Sequence, residues 1–415
     1  MDTGDTAWIL ASSALVLLMT PGLAFFYGGM VRSKTVLNMM MMSFSALAIV
    51  PVLWVLYGYS IAFSPEGNRF LGGFERLGLQ NISVDSVYGT IPEYVFVGFQ
   101  LMFAIITLAL ISGAIADRAK FSAWIVFSVV WVTIVYFPVA HWVFDFDADS
   151  GGWIATHLQA VDFAGGTAVH INAGAAGLAL ALVLGKRVGW RRDPMRPHNL
   201  PFVLLGAGLL WFGWFGFNAG SAVGANGLAG LAFVNTAVAT GAAIIGWLAV
   251  EFFRDKKGTS LGAASGAVAG LVAITPAAGA LSPFGSIFLG LVAGVLCALA
   301  VGLKYKLGYD DSLDVVGVHL VGGLVGTLLI GLLAVGDGLF YGGDLDLLGK
   351  QFAAAFVVLA YSFVLTYVIG KLIDVTIGFR VSEEDEVTGI DQVEHLETAY
   401  DYGSNSGGSN LLKEL

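Results

Sequence analysis

The chain has 415 residues, of which 57% are hydrophobic and only 12% charged, against about 25% charged in an ordinary soluble domain. With a mean hydropathy of +0.81, this composition excludes a water-soluble enzyme, a nucleic-acid-binding protein and a disordered chain. Much of the net charge of −10 lies in the C-terminal tail, so it identifies no partner for the body.

A membrane-crossing helix takes about 20 mostly apolar residues. Runs of this kind fall at 7–31, 36–63, 93–115, 121–144, 163–185, 200–219, 228–253, 260–277, 284–303, 315–334 and 348–376. They predict an all-α polytopic membrane protein of eleven spans. The long alternating strands of an outer-membrane barrel are absent. The 56 glycines fit helices that pack closely. The first run follows Asp2 and Asp5 rather than a basic segment, so it reads as a retained helix and not a cleaved signal. Of the twenty Lys and Arg, seventeen fall in alternate segments with the C-terminus, and only Arg69, Arg76 and Lys350 fall in the others. By the positive-inside rule the N-terminus lies outside and the C-terminus in the cytoplasm. The longest connection, 64–92, is then external. The expected organisation is a membrane domain over 1–380 and an acidic cytoplasmic tail over 381–415. The tail carries Glu383, Glu384, Asp385, Glu386, Asp391, Glu394, Glu397 and Asp401. It reads either as a solvated, partly disordered end or as a regulatory docking segment, with 403–409 a flexible linker.

Ionisable groups at membrane depth are costly and mark function. Two histidines sit there, in matched surroundings: His170-Ile-Asn-Ala-Gly174-Ala-Ala-Gly177 in span 5 and His319-Leu-Val-Gly-Gly323-Leu-Val-Gly326 in span 10. Both follow an aspartate, Asp162 in one case and Asp314 in the other, each readable as a helix N-cap. Spans five apart run in opposite directions. The pattern is therefore an inverted repeat, 1–5 against 6–10, with span 11 added, and the substrate site of such a fold lies at the midplane between the repeats. Two neutral imidazoles side by side share one proton and present both a donor and an acceptor, which suits a small molecule able to do the same. Haem ligation by the pair is the rival reading.

Aromatic residues cluster nearby: Trp211-Phe-Gly-Trp214-Phe-Gly-Phe217-Asn-Ala-Gly-Ser221, Phe99-Gln-Leu-Met-Phe103 and Phe25-Phe26-Tyr27. Aromatic faces attract a partly dehydrated cation, and phenylalanine rings exclude water from a narrow passage. No Walker loop, Ser-His-Asp set or metal-ligand spacing is present. The lone Cys297 permits neither an intrachain disulfide nor a cysteine-based metal site. The chain reads as a non-enzyme without metal or cofactor.

These stretches resemble the Amt/Mep/Rh family of ammonium transporters, Amt more than Rh. The matching segments are Phe25-Phe-Tyr-Gly-Gly-Met-Val-Arg32, Asp162-Phe-Ala-Gly-Gly-Thr-Ala-Val-His170-Ile-Asn, Pro197-His-Asn-Leu-Pro201, Gly213-Trp-Phe-Gly-Phe-Asn-Ala-Gly-Ser221 and Asp314-Val-Val-Gly-Val-His319. The resemblance implies a homotrimer in the cell membrane with one ammonium/ammonia pore per protomer. It assigns His170 and His319 to the twin histidines of that pore and Phe103 and Phe217 to its stacked gate. Ser221 and Phe103 belong to the outer recruitment site, Trp214 lines the pore, and Asp162 is a nearby structural residue. Phe26 and Tyr27 fall near the central and inner pore, and Phe99 and Val315 join them as pore-lining or structural candidates. Phe144 stands where the family commonly has tryptophan, so either Phe144 or Trp153 walls the outer site. Asp145, Asp147 and Asp149 concentrate cations by their field. Thr388-Gly-Ile-Asp-Gln-Val-Glu-His395 resembles the family's tail pattern and implies a PII-type regulatory protein at the cytoplasmic face. The reaction expected is recruitment of ammonium, deprotonation near the gate and conduction of ammonia. The alternatives are an ammonium sensor without flux, a coupled transporter of larger solutes, or a haem-binding redox protein.

Overall fold

The computed structural model describes residues 1–147, 149–193 and 195–400. Each expected run forms a helix long and apolar enough to cross a membrane. Spans 1 to 11 are Thr3–Met30, Val36–Phe63, Glu93–Ile115, Phe121–Phe144, Gly166–Leu184, Leu200–Gly220, Gly227–Asp255, Ser260–Ala277, Pro283–Leu307, Val316–Leu333 and Asp346–Thr376. The only paired strands among the described residues are the two-residue hairpin arms Val87–Tyr88 and Ile91–Pro92. One end of the bundle, the N-terminal face, carries residue 1 and the loop 64–92. The other, the tail face, carries the basic connections and residues 381–400.

Close packing of spans from opposite halves builds the centre. Spans 1 and 6 lie along each other, and a Cβ at Gly213 would come within 2.5 Å of the Leu15 carbonyl oxygen. Small residues permit that approach where lipid supplies no hydrophobic drive between helices. Spans 3, 5, 8 and 10 complete the centre, while spans 2, 7, 9 and 11 are more peripheral and turn wide apolar faces outward, Ile245, Phe253, Phe284 and Val375 among them.

The tail is not a solvated end over its described part. Residues 381–400 dock on the tail face, and their acidic side chains close helix ends elsewhere in the chain. Asp391 accepts the backbone N–H groups of Leu37 and Asn38 at 3.0 and 2.8 Å, at the start of span 2. Glu394 accepts that of Phe121 at 3.0 Å, at the start of span 4. Buried Glu386 accepts from Val188 N–H at 2.7 Å and pairs with Arg380 at 2.6 Å. The first N–H groups of a helix have no partner within it, and here the tail supplies two sets. Asp401, the linker at 403–409 and Lys413 lie outside the described residues.

Beneath the tail runs a buried ionic network. Arg187 pairs with Asp117 and with Asp310, each at 2.9 Å, and Arg32 approaches Asp117 at 3.5 Å. Burial alone would raise both carboxyls; Arg187, joined by Arg32 at Asp117 and by Arg118 at Asp310, outweighs it and holds them below the usual range.

Two outcomes follow. Asp391→Ala leaves the first turn of span 2 without its acceptor, and thermal unfolding in detergent should show a loss of about 1 kcal/mol; an unchanged transition would refute the capping role. A carboxyl depressed in the folded state adds stability above its unfolded pKa, and that stability is lost as pH falls through its folded value. Stability should therefore be level near neutrality and decline as pH drops below about 5, with a shallower decline in Asp310→Asn.

Candidate functional site: a histidine pair between inverted repeats

Spans 5 and 10 begin inside the protein, and each start is held by one carboxylate. Asp162 accepts the N–H groups of Gly165, Gly166 and Thr167 at 2.8, 2.7 and 2.7 Å, and the Thr167 hydroxyl as well. Asp311 accepts those of Val315 and Val316 at 3.1 and 2.8 Å. A carboxylate placed there also meets the positive end of the helix dipole. The N-cap reading of Asp162 therefore holds, but its counterpart is Asp311 and not Asp314. Asp314 has φ +65°, in the position that Gly165, with φ +114°, occupies in the other repeat, and its carboxylate pairs with Lys304 at 2.6 Å. The spacing carried this signal: each capping aspartate precedes its histidine by eight residues.

Directly after each cap the helix is wound wider, as π-helix, over Gly166–Ile171 and Val316–Leu320. Such turns are uncommon and collect at functional sites; here each contains the histidine. The two helices then cross at glycines. A Cβ at Gly174 would sit 2.5 Å from the Leu320 backbone nitrogen, next to His319, and one at Gly323 would sit 3.2 Å from the His170 Cβ. Each repeat thus offers a glycine to the other repeat's histidine.

The crossing brings the Nδ1 atoms of His170 and His319 to 3.3 Å, with ring centroids 5.4 Å apart and planes inclined by 19°. One proton fits between two such nitrogens. In the neutral pair one ring is then protonated at Nδ1 and leaves a lone pair on Nε2, while the other carries N–H at Nε2. The His170 Nε2 is buried and has no partner in the protein. Trp214 stacks on His170 at 5.4 Å, and its indole N–H is engaged by Thr275 at 2.8 Å. Both histidines, Trp214 and Phe217 line a cavity of about 10 Å³ otherwise walled by aliphatic side chains such as Leu23, Ile106 and Leu110. That is roughly the space one water requires.

On the N-terminal face the passage is closed by rings. Phe103 and Phe217 lie 4.3 Å apart between centroids, with Phe99 behind Phe103 at 4.9 Å. Phe144 stands 6.0 Å from Phe103, whereas Trp153 packs on Trp142 at 6.0 Å. Of the two, Phe144 is the one beside Phe103. Ser221, just past span 6, donates its hydroxyl to the Phe217 carbonyl at 2.8 Å. Phe26, Tyr27, Phe99 and Val315 do not line the cavity. The Tyr27 hydroxyl bonds the Leu110 carbonyl at 3.0 Å, and Val315 packs on Gly177 beside the Asp311 cap. Of the three loop aspartates, Asp145 is buried against His141 and borders a cavity on the N-terminal face together with Asp147. Asp147 is held by its own loop: the Ser150 and Asp149 amides keep its carboxyl below the usual range. Asp311, Thr275 and His141 belong to this architecture and were not among the expected residues. Among the described residues no group of His, Cys, Asp and Glu is placed to hold a metal ion. The close Nδ1 contact and the small cavity leave no room for a haem between the histidines.

The family model of the Ammonium Transporter Family matches residues 7–400. The chain belongs to this family. It is 60% identical to a protein of Mycobacterium tuberculosis named "Ammonium transporter", over 98% of this chain and 92% of that one. It is 50% identical to one of the same name from Bacillus subtilis, over 96% and 99%. Among solved structures, Candida albicans Mep2 superposes with a TM-score of 0.84 at 34% identity, covering 93% of this chain and 88% of Mep2.

If the caps set the histidine pair, Asp311→Ala should lower stability by about 1–2 kcal/mol and cut ammonium-dependent current in proteoliposomes. Wild-type values for both would remove Asp311 from the architecture.

Proposed function

We propose that this family member transports ammonium by deprotonating it at the ring barrier and passing ammonia along the two histidines. The observation that carries the reading is the His170–His319 contact in a cavity with no charged lining. An ammonium ion meets the faces of Phe103 and Phe144 and the region of Ser221, where cation–π attraction favours it once it has shed part of its water. Opening the Phe103/Phe217 pair admits it to a space too apolar for an ion. The N–H bond then breaks: the proton stays on the outer side or follows along the imidazoles, and ammonia moves on. Ammonia donates to the Nε2 lone pair of one ring and accepts from the Nε2–H of the other. Potassium has no proton to give up and no hydrogen bond to donate, so it is rejected by chemistry and not by size.

In the same reading the N-terminal face is external, residues 1–380 form the membrane domain, and 381–415 lie in the cytoplasm. The seventeen-to-three split of basic residues supports this orientation. The wide apolar faces of the outer spans are covered by lipid and by two further copies in a homotrimer of the cell membrane. A PII-type protein then meets the tail face, where residues 388–395 are docked beside the loop 31–38.

The deciding measurement is current on a solid-supported membrane after ammonium, potassium and sodium jumps, with His170→Ala beside the wild type. Ammonium-specific current abolished in the variant supports transport with net charge past His170. No current with intact pH-detected ammonia flux means electroneutral conduction. Silence in both assays refutes transport and leaves a sensor. Phe144→Trp should lower the half-saturating ammonium concentration by about two- to fivefold, the scale of a stronger cation–aromatic attraction.

A further inference from the structure

His141, one helical turn before Phe144, is wholly buried and surrounded by oxygens. Its Nδ1 lies 2.9 Å from the Ala62 carbonyl oxygen, at the end of span 2, and 3.2 Å from Asp145 Oδ2. Its Nε2 lies 2.8 Å from the Asn68 carbonyl oxygen, in the loop 64–92. A carbonyl oxygen only accepts. Both ring nitrogens must therefore donate, which a neutral imidazole cannot do. A lone pair turned to either carbonyl would leave a buried acceptor facing an acceptor. The arrangement fits an imidazolium with the Asp145 carboxylate as its counter-ion.

The surroundings tie this group to the end of span 4. Span 4 stops at Phe144, and the Asp145 N–H closes the last turn onto the His141 carbonyl at 3.3 Å. Trp142 donates to the Phe70 carbonyl at 2.8 Å, and Trp153 N–H to that of Arg69 at 3.0 Å. Gly152 N–H reaches the Asp145 carbonyl at 2.9 Å. The other charged groups of this rim are Glu93, held by Arg76 at 3.4 Å and by the Tyr59 hydroxyl at 3.3 Å, and Asp147. Among the described residues, His141 is the one side chain that binds the ends of spans 2 and 4 and the loop together at a single point. Phe144 leaves from this anchored turn.

We propose that His141, held as an imidazolium, is a positioning residue for the outer substrate site: it pins span 4 to span 2 and to the loop at Asn68 and so fixes Phe144 against Phe103. This rests on the reading of Phe144 and Phe103 as the place where ammonium is recruited. His141 does not touch the passage and takes no proton from the substrate. Its effect is on how well ammonium is captured and not on how fast captured substrate crosses.

The test compares ammonium-dependent currents of full-length wild type, His141→Gln, Asp145→Asn and Phe144→Ala in proteoliposomes, with 15N spectra of histidine-labelled wild type at pH 7. The expected result is a half-saturating concentration raised about three- to fivefold in all three variants, the scale of one cation–aromatic attraction removed. Maximal current should be largely kept, and the two His141 ring nitrogens should both show protonated shifts. Phe144→Ala weakened while both other variants match wild type overturns the positioning role and leaves the recruitment reading intact. Phe144→Ala unchanged overturns the recruitment reading and the proposal with it. A His141 spectrum with one unprotonated nitrogen overturns the imidazolium assignment. That spectrum is read on wild type, so it decides even where His141→Gln does not fold.

Discussion

Two carboxylates facing two broken helix ends carry this structure. A helix that starts inside a membrane protein has N–H groups that neither water nor lipid can satisfy. Asp162 and Asp311 satisfy them in opposite halves of the chain and so allow spans 5 and 10 to begin inside the protein. The histidine pair is placed from those two points. The wide turn follows the cap, the histidine lies in the wide turn, and the glycine that admits the opposite histidine lies four residues further on. Moving either cap by one residue would rotate its histidine by about 100° about the helix axis and part the pair.

The site is built almost entirely from apolar residues, and its two polar members are the paired histidines. Rings close one end, aliphatic side chains wall the rest, and the indole N–H that lies nearest is already engaged by Thr275. What remains is the edge of two imidazoles that share a proton. On the proposed mechanism, selectivity comes from what a guest can do, namely lose a proton and exchange hydrogen bonds, and the narrowness serves to exclude water.

The fold was largely legible because hydropathy at membrane depth is a coarse and strong signal. Eleven apolar runs became eleven helices, and the paired contexts of His170 and His319 disclosed the repeat. What the pattern hid was local. Asp314 lies closer to its helix than Asp311, so proximity favoured it, although the eight-residue spacing to the histidine pointed to Asp311. The acidic tail has the composition of a solvated segment. Only the unfilled N–H groups at the starts of spans 2 and 4 explain why Asp391 and Glu394 turn inward, and composition does not display such needs. Tyr27 and Val315 lie in stretches that match the family but outside the small cavity at the histidines. Asp145 reads as a cation lure until its partner, His141, is seen behind it.

The division of the pair between the two halves has a consequence for how the protein is made. Span 5 delivers His170 early in synthesis, but its partner arrives only with span 10, when most of the chain is already in the bilayer. Until then the first half holds a capped helix and a single imidazole with nothing opposite. On the proposed mechanism, conduction is therefore an all-or-none property of the finished chain. A ribosome stalled at any earlier point leaves a fragment without the paired histidines, so the membrane is not asked to tolerate a partly selective hole during assembly.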